Sequence, residues 1–228
     1  MFDVSIAERM ARACDLAYWA DSEKVVKDLS VEQARVISMA GHGALVAESE
    51  AETIVAFRGS ASIRDWIDDG QFYLASIPPY FGRVHVGFSR VLISLYAELS
   101  PYLQRGNVAI TGHSLGAAVA VLASCSVPVL SKPLYLFGCP KVGDRQFADS
   151  YQHRVYRVIN DLDPVCHAPF DWLYRHVGEE VWLPELGPRS LWGRLKRVCS
   201  QLLRGLPRTV MTAVEHHLIS KYVDALSS

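Results

Sequence analysis

A serine stands in a setting built to expose it at Gly112-His113-Ser114-Leu115-Gly116. The G-x-S-x-G spacing puts a hydroxyl on a turn too tight for side chains on either flank, so that a strand and a helix can meet closely while the hydroxyl stands clear. A helix beginning just after the serine aims its first N–H groups and the positive end of its dipole at that hydroxyl, where negative charge develops during acyl transfer. The Leu115 N–H is one such donor. Arg58-Gly59-Ser60, which follows the apolar run Thr53-Phe57, is the other loop able to supply a donor, through Ser60. A plain turn would favour the same residues.

A serine hydroxyl is a weak nucleophile until a base takes its proton, and the base must be held by an acid. Where the serine sits on such an elbow, the acid and then the histidine follow it in the chain. Asn160-Asp161-Leu162-Asp163-Pro164-Val165 follows the run Val155-Ile159 and offers two acids, Asp161 and Asp163, with equal claims from position alone. Of the eight histidines, His42, His85 and His113 precede the serine and His153 precedes the acids. His167, His176, His216 and His217 remain, and chain order favours one of the last pair.

The elements that must position these residues alternate along the chain. Ile6, Met10, Ala13, Cys14 and Ala17 lie at helical spacing, which predicts an opening amphipathic helix. Arg35-Met39, Ala44-Glu48 and Thr53-Phe57 read as consecutive strands beginning an antiparallel sheet, with Gly41-His42-Gly43 breaking the first two. Helix and strand then alternate: Val84-Leu103, Asn107-Thr111, Leu115-Cys125, Leu134-Phe137, Asp144-Gln152 and Val155-Ile159. The expected fold is α/β and α/β-hydrolase-like, with a mostly parallel central sheet, antiparallel early strands and helices on both faces. Ligands of such sheets sit beyond the carboxyl ends of the strands, here Phe57, Thr111, Phe137 and Ile159, and the candidate residues follow those ends.

Composition narrows the classes. Residues 1–228 carry no Gly/Ser-rich or Pro-rich linker and read as one domain. Half the residues are hydrophobic, 21% are charged and the formal net charge is -1, so nothing in the bulk charge points to nucleic acid. The segment Met1-Ser5 lacks the basic start and apolar run of a secretory signal, and no stretch is apolar for the roughly 18 to 20 residues needed to cross a bilayer. Cys14, Cys125, Cys139, Cys166 and Cys199 form an odd, scattered set without a CxxC pair. Buried free thiols and a cytoplasmic setting are expected, rather than a disulfide framework or a zinc site. Acyl transfer by serine requires neither metal nor organic cofactor.

Five segments in order carry a resemblance. Ile54-Ser60 with Asp65-Trp66, Val84-His85-Val86-Gly87-Phe88, Ile110-Ala118, Phe137-Gly143 with Phe147, and Val158-Val165 together resemble the fungal-type, or class 3, triacylglycerol lipase family. The resemblance implies a serine ester hydrolase acting on lipid esters, with Ser114, Asp163 and His217 as catalytic residues and Ser60 and Leu115 as the oxyanion pair. It places the acid on Asp163. It places the base on His217, five residues before Tyr222, although His216 stands where the family often carries an acid or another polar residue. Phospholipase or acyl thioesterase activity on the same fold, and a catalytically silent lipid-binding scaffold, are the alternatives.

One segment is left over. Between Pro184 and His216, Leu191, Trp192, Leu195, Val198, Cys199, Leu202, Leu203 and Leu206 form an apolar stripe, while Arg189, Arg194, Lys196, Arg197, Arg204 and Arg208 make the remainder basic. Residues 185–212 are expected to form a basic amphipathic cap or lid within the domain that touches a lipid surface. Packing of the stripe on the sheet is the competing reading, and Ile63-Pro79 is the competing lid.

Overall fold

Thr53–Phe57 and Val108–His113 are buried at every position, so the sheet containing them must be covered on both faces. The computed structural model describes residues 1–19, 21–59, 73–160, 163–169, 172–183 and 217–227. The chain begins with helices α1 (Val4–Leu16) and α2 (Ser22–Leu29), started by Asp3 and Asp21, whose carboxylates accept from the Ile6 and Lys24 N–H groups. Strands β1 (Gln33–Met39), β2 (His42–Glu48) and β3 (Thr53–Phe57) follow. A two-stranded ribbon, β4 (Leu74–Ala75) and β5 (Val84–His85), leads into α3 (Val86–Leu103). Then come β6 (Val108–His113), α4 (Leu115–Ser124), β7 (Leu134–Phe137), α5 (Arg145–Ser150), β8 (Val155–Ile159), a 3-10 turn at Pro164–His167, β9 (Glu179–Trp182) and α6 (Ile219–Ser227).

Among the described residues the main sheet has seven strands in the order β1-β2-β3-β6-β7-β8-β9. Its first three strands pair antiparallel and the rest parallel, which agrees with the α/β expectation. Alternation along each strand divides the core. Val55 and Phe57 face α3 and α4, whereas Ile54 and Ala56 face α1, α2 and α6. Every residue of α4 is buried, as its unbroken apolar sequence requires.

The boundaries differ from expectation where turn geometry decides. Ala40 and Gly41 both have positive φ (51° and 82°) and close β1 onto β2 as a two-residue hairpin, which draws His42 and Gly43 into β2. Val84 and His85 belong to the ribbon, so α3 starts at Val86. At its other end α3 runs to Leu103 as expected, with Pro101 inside it. Proline cannot donate to the Ala97 carbonyl, and the Ser100 hydroxyl donates there at 3.4 Å instead. Strand β6 continues two residues beyond Thr111 to His113, leaving Ser114 alone to make the turn. Cys14, Cys125, Cys139 and Cys166 are free thiols, and Cys199 lies outside the described residues. No helix among the described residues is long and apolar enough to cross a membrane.

Candidate active site

The elbow depends on the absence of two side chains. A Cβ on Gly112 would lie 2.4 Å from the Gly116 carbonyl oxygen, and one on Gly116 would lie 2.1 Å from the Phe57 oxygen. Strand β6, helix α4 and the end of β3 therefore approach more closely than any side chain permits. Ser114 caps α4 with φ 59° and ψ -130°, a conformation that strains an L-residue by roughly 1–3 kcal/mol. It is held by its N–H donating to the Phe137 carbonyl at 2.9 Å and by its carbonyl accepting from Ala117 N–H at 2.9 Å. Leu115 opens α4, so its N–H belongs to the first turn, where no intrahelical acceptor exists.

Asp163 stands just past β8 and His217 just before α6, and the fold brings them together. Both carboxylate oxygens of Asp163 lie 2.7 Å from His217 Nδ1. A carboxylate only accepts, so Nδ1 carries a proton, and in the neutral ring Nε2 then presents its lone pair. Nε2 is buried and makes no hydrogen bond among the described residues. The His217 ring lies 4.7 Å, centroid to centroid, from the ring of His113, the residue joined to Ser114. Gly138 (φ 57°) makes room for the pair, since a Cβ there would sit 2.8 Å from both Asp163 Oδ2 and His217 Cε1.

Asp163 is fully buried. Burial alone would raise its carboxyl, but the charge and hydrogen bond of His217, the Tyr222 hydroxyl and the Val165 N–H outweigh it and hold the group below the usual carboxylate range. Tyr222 donates to Oδ2 at 2.5 Å and accepts from Asn160 N–H at 3.3 Å, and Val165 N–H donates to Oδ1 at 2.9 Å. Lys141 secures the loop that follows: its ammonium donates to the carbonyls of His167 at 2.5 Å and Pro169 at 2.9 Å.

Ser114, Leu115, Asp163 and His217 are thus all described, whereas Ser60, Asp161, His216 and the whole of 185–212 lie outside the described residues. Of the competing lid Ile63-Pro79, residues 73–79 are described. Gly59 marks where the turn after β3 passes, because a Cβ on it would lie 3.0 Å from Ser114 Cβ. Of the other downstream candidates, His167 is an exposed residue ending the 3-10 turn Pro164–His167, and His176 is bonded through Nε2 to the Cys166 carbonyl at 2.8 Å. Sequence reasoning missed Tyr222 as a partner of the acid 59 residues away. Only its place in the terminal helix, five residues after His217, could have flagged it. Among the described residues no group of three or more His, Cys, Asp or Glu could hold a metal ion.

Chemically, this is an imidazole whose Nδ1–H is held by a buried carboxylate, near the tight turn on which the buried Ser114 sits. The sequence matches the lipase (class 3) family over residues 54–172. It is 35% identical over 165 residues to a lipase of Rhizomucor miehei, an alignment covering 63% of this chain and 45% of that protein. It is 33% identical over 176 residues to secreted mono- and diacylglycerol lipase 1 of Fusarium solani, covering 70% of this chain and 53% of that protein. The chain therefore spans about half the length of these curated relatives. Among solved structures it superposes, at a TM-score of 0.55 and 32% identity over 66% of this chain and 67% of the other, on a triacylglycerol lipase whose catalytic centre is a serine protease triad.

Proposed function

Since the chain belongs to the class 3 lipase family, we propose that it hydrolyses carboxylic esters of lipids through an acyl-enzyme on Ser114. The observation that carries this reading is His217, with Nδ1 held by Asp163 and Nε2 bare beside the elbow. In the proposed reaction Nε2 takes the Ser114 proton as Oγ attacks the ester carbonyl, and Asp163 stabilises the imidazolium without taking a proton itself. The Leu115 N–H and, from the family pattern, Ser60 hold the oxyanion. The carbon–oxygen bond to the alcohol breaks and His217 returns the proton to the leaving oxygen. Water, deprotonated by His217, then attacks the acyl-enzyme and releases the fatty acid and free Ser114. Acylglycerols are the substrate class supported by the names of the relatives.

Labelling with a serine-directed fluorophosphonate, beside hydrolysis of p-nitrophenyl butyrate and a panel of acylglycerols, tests the proposal. Wild-type protein is expected to label and Ser114→Ala to lose both labelling and hydrolysis; labelling that persists in Ser114→Ala overturns it. Residues 185–212 are further proposed to meet the lipid surface, on the strength of their basic and apolar sequence alone. Replacing their arginines and lysines should weaken binding to anionic vesicles and spare hydrolysis of the soluble ester, and equal losses on both refute that role.

A further inference from the structure

His113 occupies the variable position before the serine, and Tyr18 lies two residues past the end of α1, where no motif marks it. Three hydrogen bonds join them to the site. The Gly59 N–H lies 3.1 Å from Tyr18 Oη, Tyr18 Oη lies 2.9 Å from His113 Nδ1, and His113 Nε2 lies 2.7 Å from the His217 carbonyl oxygen. We propose that Tyr18 is a positioning residue that holds Gly59, the residue before the proposed oxyanion donor Ser60, directly and, through His113, the loop carrying the proposed base His217 beside Ser114. The inference rests on reading Ser114, Asp163 and His217 as the catalytic residues.

The direction of each bond follows from the chemistry of its ends. A carbonyl only accepts, so His113 Nε2 carries the proton that it shares with His217. His113 is 3% exposed, and burial, with the neighbouring His217, lowers its pKa to about 3. The ring is therefore neutral and Nδ1 is bare. Tyr18 must donate to it, which its phenol can do because burial raises its pKa and keeps it protonated. The Tyr18 oxygen is then left to accept from Gly59.

This one-way chain starts at the turn after β3 and ends on the backbone of the base, passing through the residue bonded to Ser114. Gly59 shows how close the approach is: a Cβ there would lie 2.5 Å from Tyr18 Oη and 2.9 Å from the His113 carbonyl oxygen. Helix α1 supplies a fixed anchor, since Ala13, Cys14 and Leu16 are buried and Cys14 Sγ lies 3.4 Å from Thr111 Oγ1 of β6. The oxyanion turn and the base loop belong to segments far apart in sequence, and without a shared tie each can settle independently of the serine. Misplacement of a reacting group by about 1 Å can cost on the order of 100-fold in rate.

The test uses the full chain, p-nitrophenyl butyrate and temperatures below the unfolding transition of every variant by circular dichroism. Wild-type protein is first examined for Ser114-dependent labelling and hydrolysis; absence of both overturns the catalytic reading and this inference with it. Given both, Tyr18→Phe keeps the ring and removes the hydroxyl, and kcat should fall roughly 10- to 100-fold with KM within about twofold. His113→Gln, which can still donate to the His217 carbonyl but offers Tyr18 no ring nitrogen, should lose less than Tyr18→Phe. The double variant should be no worse than Tyr18→Phe within about twofold, because the two act as one unit. A Tyr18→Phe enzyme with wild-type kcat, a loss confined to KM, or losses that multiply in the double variant overturns the proposal.

Discussion

Replacing Tyr222 with phenylalanine removes a single oxygen atom, yet that atom is both donor to the buried Asp163 carboxylate and acceptor for the Asn160 N–H. A hydrogen bond to a charged group contributes about 1.5–3 kcal/mol, and a buried N–H left unpaired costs about 1–3 kcal/mol. The two bonds share one oxygen, so a loss of about 3 kcal/mol is expected rather than the full sum. For a chain of this size that lowers Tm by roughly 6–12 °C. The loss should depend on pH. Asp163 is held below its unfolded value, so its contribution is present above the unfolded pKa of about 3.9 and fades as pH falls through the folded value. Without the Tyr222 hydroxyl the folded value rises and that contribution shrinks at neutral pH. The stability gap between wild-type and variant should therefore be widest near pH 7 and narrow below about pH 3.9. With the acid less firmly placed, kcat on p-nitrophenyl butyrate should fall about tenfold while KM stays within about twofold. Thermal melts from pH 3 to 8 and steady-state kinetics make the measurement. A Tm within about 2 °C of wild type together with unchanged kcat would refute the role assigned to the hydroxyl.

Asp163→Asn turns an acceptor into a group able to donate, which favours the tautomer with the proton on Nε2, so kcat should drop on the order of 10,000-fold; a drop under tenfold, with Ser114 labelling intact, counts against Asp163 as the acid. A second expectation concerns acid. Burial lowers His85 to about 4 and His113 and His176 to about 3, so between about pH 6.5 and 4 the unfolded chain binds protons that the folded chain does not. Their stabilising contribution is complete above about pH 6.5 and is lost on acidification, with a combined slope of about 4 kcal/mol per pH unit near pH 5. Denaturant titrations from pH 7 to 5 read that slope, and a flat profile contradicts it.

Legibility followed the range of the interactions. The Val155–Ile159 strand, the Leu115–Ser124 helix and the elbow between Thr111 and Ala117 declare themselves through neighbours a few residues apart, because period, β-branching and glycine spacing are local properties. Boundaries failed where a local rule met a specific contact. Gly41-His42-Gly43 read as a break until the Ala40-Gly41 hairpin took His42 and Gly43 into β2, and Val84 read as helical until its pairing with Ala75 took it into the ribbon. Tyr18, 95 residues before His113, had no local signature, and Tyr222, 59 residues after Asp163, had only its spacing of five from His217, which says nothing of the acid it bonds.

By itself, then, the sequence determined the α/β layering, the turn after β6 on which Ser114 stands and the chain order of the candidate acid and base. These are consequences of periodicity and of one strained turn that only glycine neighbours allow. Tertiary structure decided which atoms meet. Closure of α6 onto the end of β8 presses the His217 Nδ1–H and the Tyr222 hydroxyl onto one Asp163 carboxylate. The end of α1 carries the Tyr18 hydroxyl to His113 beside Ser114. Hydrogen bonds fall off within a few tenths of an ångström and a few tens of degrees, and no pattern along the chain encodes distances that fine.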